Sequence, residues 1–165
     1  MKINQTFSYE GADVASVFGL ITNKEFRDEV SEKIHAISYE STIEPHGEGF
    51  NVSIKRKMPA QMPDFIKKLT GETVEVLQRE DWGAPGADGS RTADVKVNIL
   101  GQPASMAGTA KIYASGSGTE FSLTGDVTVK IPFIGKKIEP EVAKAIIAAL
   151  TSEVELGKAK FAAEG

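Results

Sequence analysis

An apolar stripe over residues 139–164 constrains the fold of this chain more than any other feature of its sequence. Its side chains recur at steps of three and four, which is the spacing of one face of an α-helix. Pro140 fits the first helical position, where its missing N–H needs no partner. A helix of about 24 residues extends roughly 36 Å, so it needs a broad apolar surface to pack against. The stripe consists of Ala143, Ile147, Leu150, Val154, Gly157 and Phe161, with Val142 and Ile146 beside it.

The chain between residues 35 and 131 predicts that surface, because apolar and polar side chains largely alternate there. A strand over residues 2–9 comes first, and two short helices follow it, capped near Asp13 and Asn23. Clean alternation is typical of an antiparallel sheet with one covered face. We therefore predict a single α+β domain over residues 1–165, with the order β-α-α-β6-α. The six later strands are predicted over 35–44, 50–58, 73–82, 93–99, 106–112 and 121–131, with a short helical turn within 59–71.

Six short motifs accompany this order of elements. They are residues 20–27 (LITNKEFR), 63–71 (PDFIKKLTG), 80–82 (EDW), 101–103 (GQP), 125–127 (GDV) and 132–139 (PFIGKKIE). In these motifs and in its element order the chain resembles the START-like, or Bet v 1-like, helix-grip superfamily (SRPBCC, polyketide cyclase-like). More closely, it is similar to an uncharacterised bacterial family within that superfamily. The resemblance implies a curved sheet wrapped around the long C-terminal helix, usually with a hydrophobic ligand between them, although some members are enzymes.

Small residues on the inward side of the predicted sheet bear on whether the core is filled. Gly108, Ala110, Ala114 and Gly125 are in the inward phase, and Gly157 lies within the helix stripe. Small groups on both layers either leave space for a ligand or let the layers pack closely, and strand glycines also mark bends. The resemblance favours a cavity. The residues predicted to line it from the sheet and the helix are Gly108, Ala110, Gly125, Ile146 and Leu150.

Three polar residues, Arg56, Gln78 and Glu80, are also in the inward phase of strands that are otherwise apolar. A desolvated charge must be paired, so we expect a salt bridge between Arg56 and Glu80 if their strands are neighbours. Such a pair beside a cavity can bind a carboxylate or polarise a carbonyl, whereas at the wet rim of the sheet its role is structural. Tyr39 either offers a phenol to a polar ligand head or packs in the core. Met58 belongs either to a methionine-containing lip over the cavity mouth or to a second small core.

The net charge of −4 and the absence of cysteine limit the partners and cofactors that the sequence predicts. A mildly acidic chain does not attract phosphate, so nucleic acid is not an expected partner. The histidines, His35 and His46, have no ligand-like spacing, and we predict no metal and no cofactor. No apolar stretch is long enough to span a membrane and residues 1–4 start no signal peptide, which makes a cytoplasmic location the expectation. The oligomeric state is left open.

The predicted function is non-catalytic binding, for transport or sequestration, of a hydrophobic or amphipathic small molecule between sheet and helix. The first alternative is an enzyme of the cyclase or hydrolase type that acts on a bound aromatic or acyl substrate. Such an enzyme needs a convergent acid–base set, and the sequence offers only Arg56, Glu80 and Tyr39 for it. The second alternative is a protein-interaction module, which would have a filled core and no internal void.

Overall fold

The computed structural model describes residues 1–164 and, within them, contains seven strands and four helices. The predicted α+β order is confirmed, including the short helix between the third and fourth strands. Both predicted caps are present: the N–H of Ser16 donates to Asp13 Oδ1 at 2.8 Å, and the N–H of Phe26 donates to Asn23 Oδ1 at 3.0 Å. The elements are β1 (Lys2–Tyr9), α1 (Val14–Ile21), α2 (Lys24–Lys33), β2 (Ser38–His46), β3 (Gly49–Pro59), α3 (Asp64–Thr70), β4 (Thr73–Trp82), β5 (Arg91–Ile99), β6 (Ala104–Ser115), β7 (Gly118–Val129) and α4 (Gly135–Glu164).

The strands form one antiparallel sheet in the order β1-β7-β6-β5-β4-β3-β2. Strands that follow one another along the chain pair with each other from β2 to β7, and β1 pairs with the distant β7. The predicted alternation is present, since Val52 and Ile54 are buried while Asn51 and Lys55 are exposed. The sheet curves around α4, so the architecture is the helix grip.

The second half of α4 packs tightly against β1 and α1. Val154 is buried, as predicted. Gly157 marks the closest approach, because a Cβ there would lie 2.9 Å from Cε1 of Tyr9 and 3.2 Å from Cδ2 of Leu20. Phe161 meets the ring of Tyr9 edge-on, with ring centroids 5.9 Å apart. At this end of the helix the missing side chain of Gly157 therefore allows close packing.

The predicted start of α4 at Pro140 is wrong, because the helix begins at Gly135. The N–H of Gly135 donates to the carbonyl of Ile131 at 2.9 Å, and a Cβ on Gly135 would lie 2.2 Å from the carbonyl oxygen of Val129. The N–H of Val129 in turn donates to the carboxylate of Glu139 at 3.1 Å. These contacts hold the first turn of α4 against the end of β7, and Pro140 is accommodated on the exposed side of the helix. Among residues 1–164, no helix combines the length and hydropathy that crossing a membrane requires.

Two further positions differ from the sequence-based expectation. His35, predicted to start β2, instead follows the end of α2 in a left-handed conformation with φ of 65°. The N–H of Ala36 donates to the carbonyl of Ser31 at 3.0 Å, which closes a C-terminal cap and delays β2 to Ser38. Ala114 is in the predicted inward phase but is exposed, because it lies next to the turn between β6 and β7.

Candidate functional site

A cavity of about 520 Å³ lies between the inner face of the sheet and α4. Most of its wall is aliphatic, and the middle of α4 contributes small side chains, including Ala145 and Ala149, that leave room beneath the helix. The filled core expected of an interaction module is therefore absent from this part of the described structure. The apolar lining includes Met58, Val74, Val76, Val95, Val97, Ile99, Met106, Ala110, Phe121 and Leu123 from the sheet, Val142, Ala145, Ile146, Ala148, Ala149 and Leu150 from α4, and Val30 from α2.

The cavity opens beside the segment that joins β3 to α3. The opening extends along one side of α4, where the exposed lining residues are Gln61 in that segment, His35 after α2, and Lys144, Ala145 and Ala148 on α4. Met58 and Met62 border the same opening and are half-buried. A ligand that enters here meets adaptable thioether side chains before it reaches the aliphatic walls.

One end of the cavity carries buried charges that three elements bring together around Arg27. This arginine, on α2, is only 1% exposed. Its Nη2 donates to Glu80 on β4, its Nη1 donates to Glu153 on α4, and its Nε donates to the carbonyl of Ile21 at 2.8 Å. Every nitrogen of the guanidinium therefore has a partner, and the group ties α2, the sheet and α4 together. Of these charged residues, Glu80 and Glu153 line the cavity.

Arg56, on β3, is the second buried arginine at this end of the cavity, and it is bound only by neutral groups. Its side chain lines the cavity and is 5% exposed. Its Nε donates to Ser31 Oγ at 2.7 Å and its Nη1 donates to Gln78 Oε1 at 3.1 Å. These two bonds fix the plane of the guanidinium.

The predicted salt bridge between Arg56 and Glu80 is wrong, and the strand register explains why. β3 and β4 are neighbours, but Arg56 lies opposite Val76 while Glu80 lies opposite Val52. Residues separated by four positions along a strand are about 13 Å apart. Glu80 is paired with Arg27 instead.

Burial and the neighbouring charges lower the pKa of Glu80 and raise the pKa of Glu153. Burial raises the pKa of the Glu80 carboxyl, but the charge of Arg27 and a hydrogen bond from Trp82 outweigh it, so this pKa lies below the usual glutamate value. Burial also raises the pKa of Glu153, and there Arg27 offsets only part of the effect while the charge of Glu80 adds to it, so this pKa lies above the usual value. Burial and repulsion from Arg27 lower the pKa of Arg56 to about 10, which leaves it a cation at neutral pH.

Most of the residues predicted to bind a ligand line the cavity, but Tyr39 does not. Tyr39 lies opposite Arg56 on the edge strand β2, and its hydroxyl donates to Glu32 Oε1 at 2.5 Å on the exposed side of α2. Leu150 lines the cavity and is half-buried. The predicted residues that do line the cavity are Arg56, Met58, Gln78, Glu80, Ala110, Ile146 and Leu150.

The predicted lining residues Gly108 and Gly125 are also outside the cavity lining, and they have a different role. They face each other across β6 and β7. A Cβ on Gly108 would lie 2.1 Å from the carbonyl oxygen of Thr124, and one on Gly125 would lie 2.9 Å from that of Ala107. The two glycines therefore allow a close approach of the strands, which is the packing and bending role that the sequence left as the alternative.

Sequence reasoning missed Arg27 and Glu153, although both positions carried a signal. Glu153 lies three positions after Leu150 and four before Gly157, within the stripe that packs on the sheet. Arg27 follows Phe26 on the side of α2 that is buried. A charged residue on the buried face of an amphipathic helix needs an oppositely charged partner, and here Arg27 and Glu153 are partners of each other.

The described residues contain no cluster of three or more metal-ligating side chains.

Comparison with known proteins gave matches in both sequence and structure. A family model described as "Protein of unknown function (DUF2505)" matches residues 4–159. The uncharacterised protein Rv0481c of Mycobacterium tuberculosis is 27% identical over 104 residues, which are 62% of this chain and 59% of that protein. The match thus spans less than two thirds of the relative's length.

Three solved structures share the fold at low sequence identity. TTHA0849 from Thermus thermophilus superposes with a TM-score of 0.66 at 16% identity, over 100% of this chain and 99% of that chain. A STAR-related lipid transfer protein from Xanthomonas axonopodis gives a TM-score of 0.62 at 11% identity, over 94% of this chain and 85% of that one. The Zhui aromatase/cyclase from a Streptomyces species gives 0.59 at 11% identity, over 97% and 92%. At these identities the likeness shows the fold alone.

Proposed function

Because this chain belongs to the family described as "Protein of unknown function (DUF2505)", within the START-like superfamily that its motifs resemble, we propose its function from its own cavity. It binds a hydrophobic or amphipathic small molecule between the sheet and α4, and it releases that molecule chemically unchanged. The observation that carries this proposal is the cavity of about 520 Å³ with a mostly aliphatic wall. Small-molecule sites are concave, mainly apolar and provided with a few placed polar groups, and this cavity has each of these properties.

The arrangement of the acidic groups supports binding without catalysis. Of the three carboxylates that line the cavity, Glu80 and Glu153 accept hydrogen bonds from the buried Arg27, and the third, Glu141, lies in the first half of α4. A general acid or base must be free to exchange a proton with the substrate, and the hydrogen bonds from Arg27, Gln78 and Trp82 oppose that exchange at Glu80 by holding it as a carboxylate. The shared fold with a protein named for lipid transfer supports an apolar ligand.

Filling the cavity tests the proposal. We expect Ala149→Trp to weaken uptake of the neutral fluorescent probe N-phenyl-1-naphthylamine by about tenfold or more, because the indole occupies the ligand space. The matched control is Ala159→Trp on the same helix, where the residue is exposed and outside the cavity lining. Probe fluorescence measures affinity, and circular dichroism checks that both variants keep their helix content.

The wild-type protein provides a second readout that does not depend on a variant. Native mass spectrometry of freshly purified protein should detect a retained small molecule. After the protein is incubated with that molecule bound, the mass of the molecule should be unchanged. Wild-type protein that takes up no probe and carries no small molecule, or an Ala149→Trp variant that binds the probe as tightly as Ala159→Trp, would contradict binding in this cavity.

A further inference from the structure

We propose that the ligand of this cavity is an amphipathic carboxylate, with its anionic head bound by Arg56 and its apolar part lying against the aliphatic walls. This inference rests on the proposed function and specifies the ligand class of the same site.

Arg56 is held in place without being neutralised by a direct partner. Its bonds to Ser31 and Gln78 use Nε and Nη1, both toward neutral oxygens. Within residues 1–164, Nη2 donates no hydrogen bond to a protein atom, and no carboxylate oxygen lies within 4.0 Å of the guanidinium. A desolvated cation with an oriented, unused donor facing a cavity is a ready site for an anion.

Arg27 provides an internal comparison for this interpretation. Both arginines are almost fully buried at the same end of the cavity. Arg27 directs all three of its nitrogens to protein acceptors, two of them carboxylates, and it is not among the lining residues. Arg56 lines the cavity and has donor capacity left. The two residues therefore divide their roles, since Arg27 joins the elements and Arg56 faces the ligand.

The charge balance at this end of the cavity favours a carboxylate over a phosphate. Arg27, Arg56, Glu80 and Glu153 sum to zero when both acids are ionised, and to a single positive charge when Glu153 is protonated. Only one guanidinium is available, and its free Nη2 can donate a charge-assisted hydrogen bond to a carboxylate oxygen. A phosphate with about two charges near neutral pH would find no second buried arginine in the cavity lining, because Arg27 is outside it and is bound by Glu80 and Glu153, and those carboxylates repel two charges more strongly than one.

The surroundings of Arg56 suit an apolar chain attached to the head. Val76 lies opposite Arg56 in the neighbouring strand, and Met58 is the next inward residue of β3 toward the cavity mouth. The aliphatic wall continues from there across the sheet through Val97 to Leu123. A molecule with its carboxylate at Arg56 therefore places its remaining atoms where water is least favoured.

The test compares two probe ligands that share one alkyl chain, dodecanoate and dodecan-1-ol, at neutral pH. Each displaces N-phenyl-1-naphthylamine from the wild-type protein, and the displacement gives its affinity. A hydrogen-bonded ion pair adds roughly 1.5–3 kcal/mol, so dodecanoate should bind about ten to a hundred times more tightly than the alcohol. Arg56→Met should remove this preference while leaving the affinity for the alcohol within about a factor of two to three. Arg79→Met is the matched control, because Arg79 is exposed on the opposite face of β4.

Each outcome separates this inference from the proposed function. If dodecanol and dodecanoate bind the wild type equally well, the cavity binds apolar molecules but Arg56 does not recognise a carboxylate. The same conclusion holds if the preference survives in Arg56→Met. If neither ligand displaces the probe and the probe itself does not bind, the proposed function fails as well. If Arg56→Met does not fold, the affinities of the wild-type protein for dodecanoate and dodecan-1-ol still test the inference. Arg56→Lys, which keeps the charge, should retain part of the preference for dodecanoate.

Discussion

Glu80 and Glu153 share one arginine, yet their environments favour opposite protonation states. Within the described residues, Glu80 accepts hydrogen bonds from Arg27, from Gln78 Nε2 at 2.5 Å and from Trp82 Nε1 at 2.9 Å. Glu153 accepts only from Arg27. Both carboxyl groups are almost fully buried, so the number of donors decides which form each prefers. Glu80 is held as a carboxylate, and Glu153 is disposed to take up a proton.

We expect Glu80→Gln and Glu153→Gln to change the free energy of unfolding with opposite dependence on pH. The pKa of Glu80 lies below its unfolded value, so its carboxylate stabilises the fold above the usual glutamate pKa, and this contribution is lost as the pH falls through the folded pKa. The pKa of Glu153 lies above its unfolded value, so the stability that its protonated form contributes is lost as the pH rises through the folded pKa.

The destabilisation by Glu80→Gln should therefore grow as the pH rises toward the usual glutamate pKa, to about 3–5 kcal/mol for an uncompensated buried charge. The destabilisation by Glu153→Gln should instead decrease as the pH rises above that value. Urea unfolding followed by far-ultraviolet circular dichroism, from acidic to neutral pH, measures both. Parallel pH profiles for the two variants would contradict the assignment.

The close pairing of β6 and β7 depends on two glycines, which have no side chain. Gly108 and Gly125 are partners in the register of these strands, and backbone oxygens occupy the positions that their Cβ atoms would need. Backbone cannot move aside as the end of a flexible side chain can, so a substitution must separate the strands. The same contacts exclude the two glycines from a role in providing ligand space.

We expect Gly108→Ala to destabilise the protein by about 1–3 kcal/mol, because the added methyl group meets the carbonyl of Thr124. Gly19→Ala serves as the control, since Gly19 is exposed in α1 and a Cβ there meets nothing within 4 Å. That substitution should stabilise by roughly 0.5–1 kcal/mol through its higher helix propensity. Unfolding midpoints in urea measure both changes, and a Gly108→Ala variant as stable as the wild type would show that the strands can separate without cost.

Over the whole molecule, the sequence predicted what depends on local pattern and missed what depends on contacts between distant elements. Alternation identified the strands and placed Arg56, Gln78 and Glu80 on the inner face, because side-chain direction in a strand follows from position alone. It could not supply the register, which separates Arg56 from Glu80. The true partner, Arg27, comes from a helix packed across the sheet, and no periodicity within β4 contains that information.

For the cavity too, the sequence predicted some of the residues that face it but not how much space lies between the layers. Inward positions on α4 were recognised from their spacing, and Ile146 and Leu150 do line the cavity. Whether small residues leave space or close it depends on how near the layers approach, which differs along the helix. Gly157 lies against Tyr9, whereas the alanines two to three turns earlier lie over open space.

The pairing of β1 with β7 determines how this protein can reach its native state. Ser8 Oγ donates to Glu120 Oε1 at 2.7 Å although the residues are 112 positions apart in the chain. Most of the polypeptide must be in place before these two strands can meet, and closing so long a loop is entropically unfavourable. Proteins dominated by such distant pairings refold over about milliseconds to seconds, and we expect stopped-flow refolding of this chain to fall in that range. Refolding within microseconds would contradict this. Until β1 arrives, the free edge of β7 can pair with another unfinished molecule, so the yield of refolding should decrease as protein concentration rises.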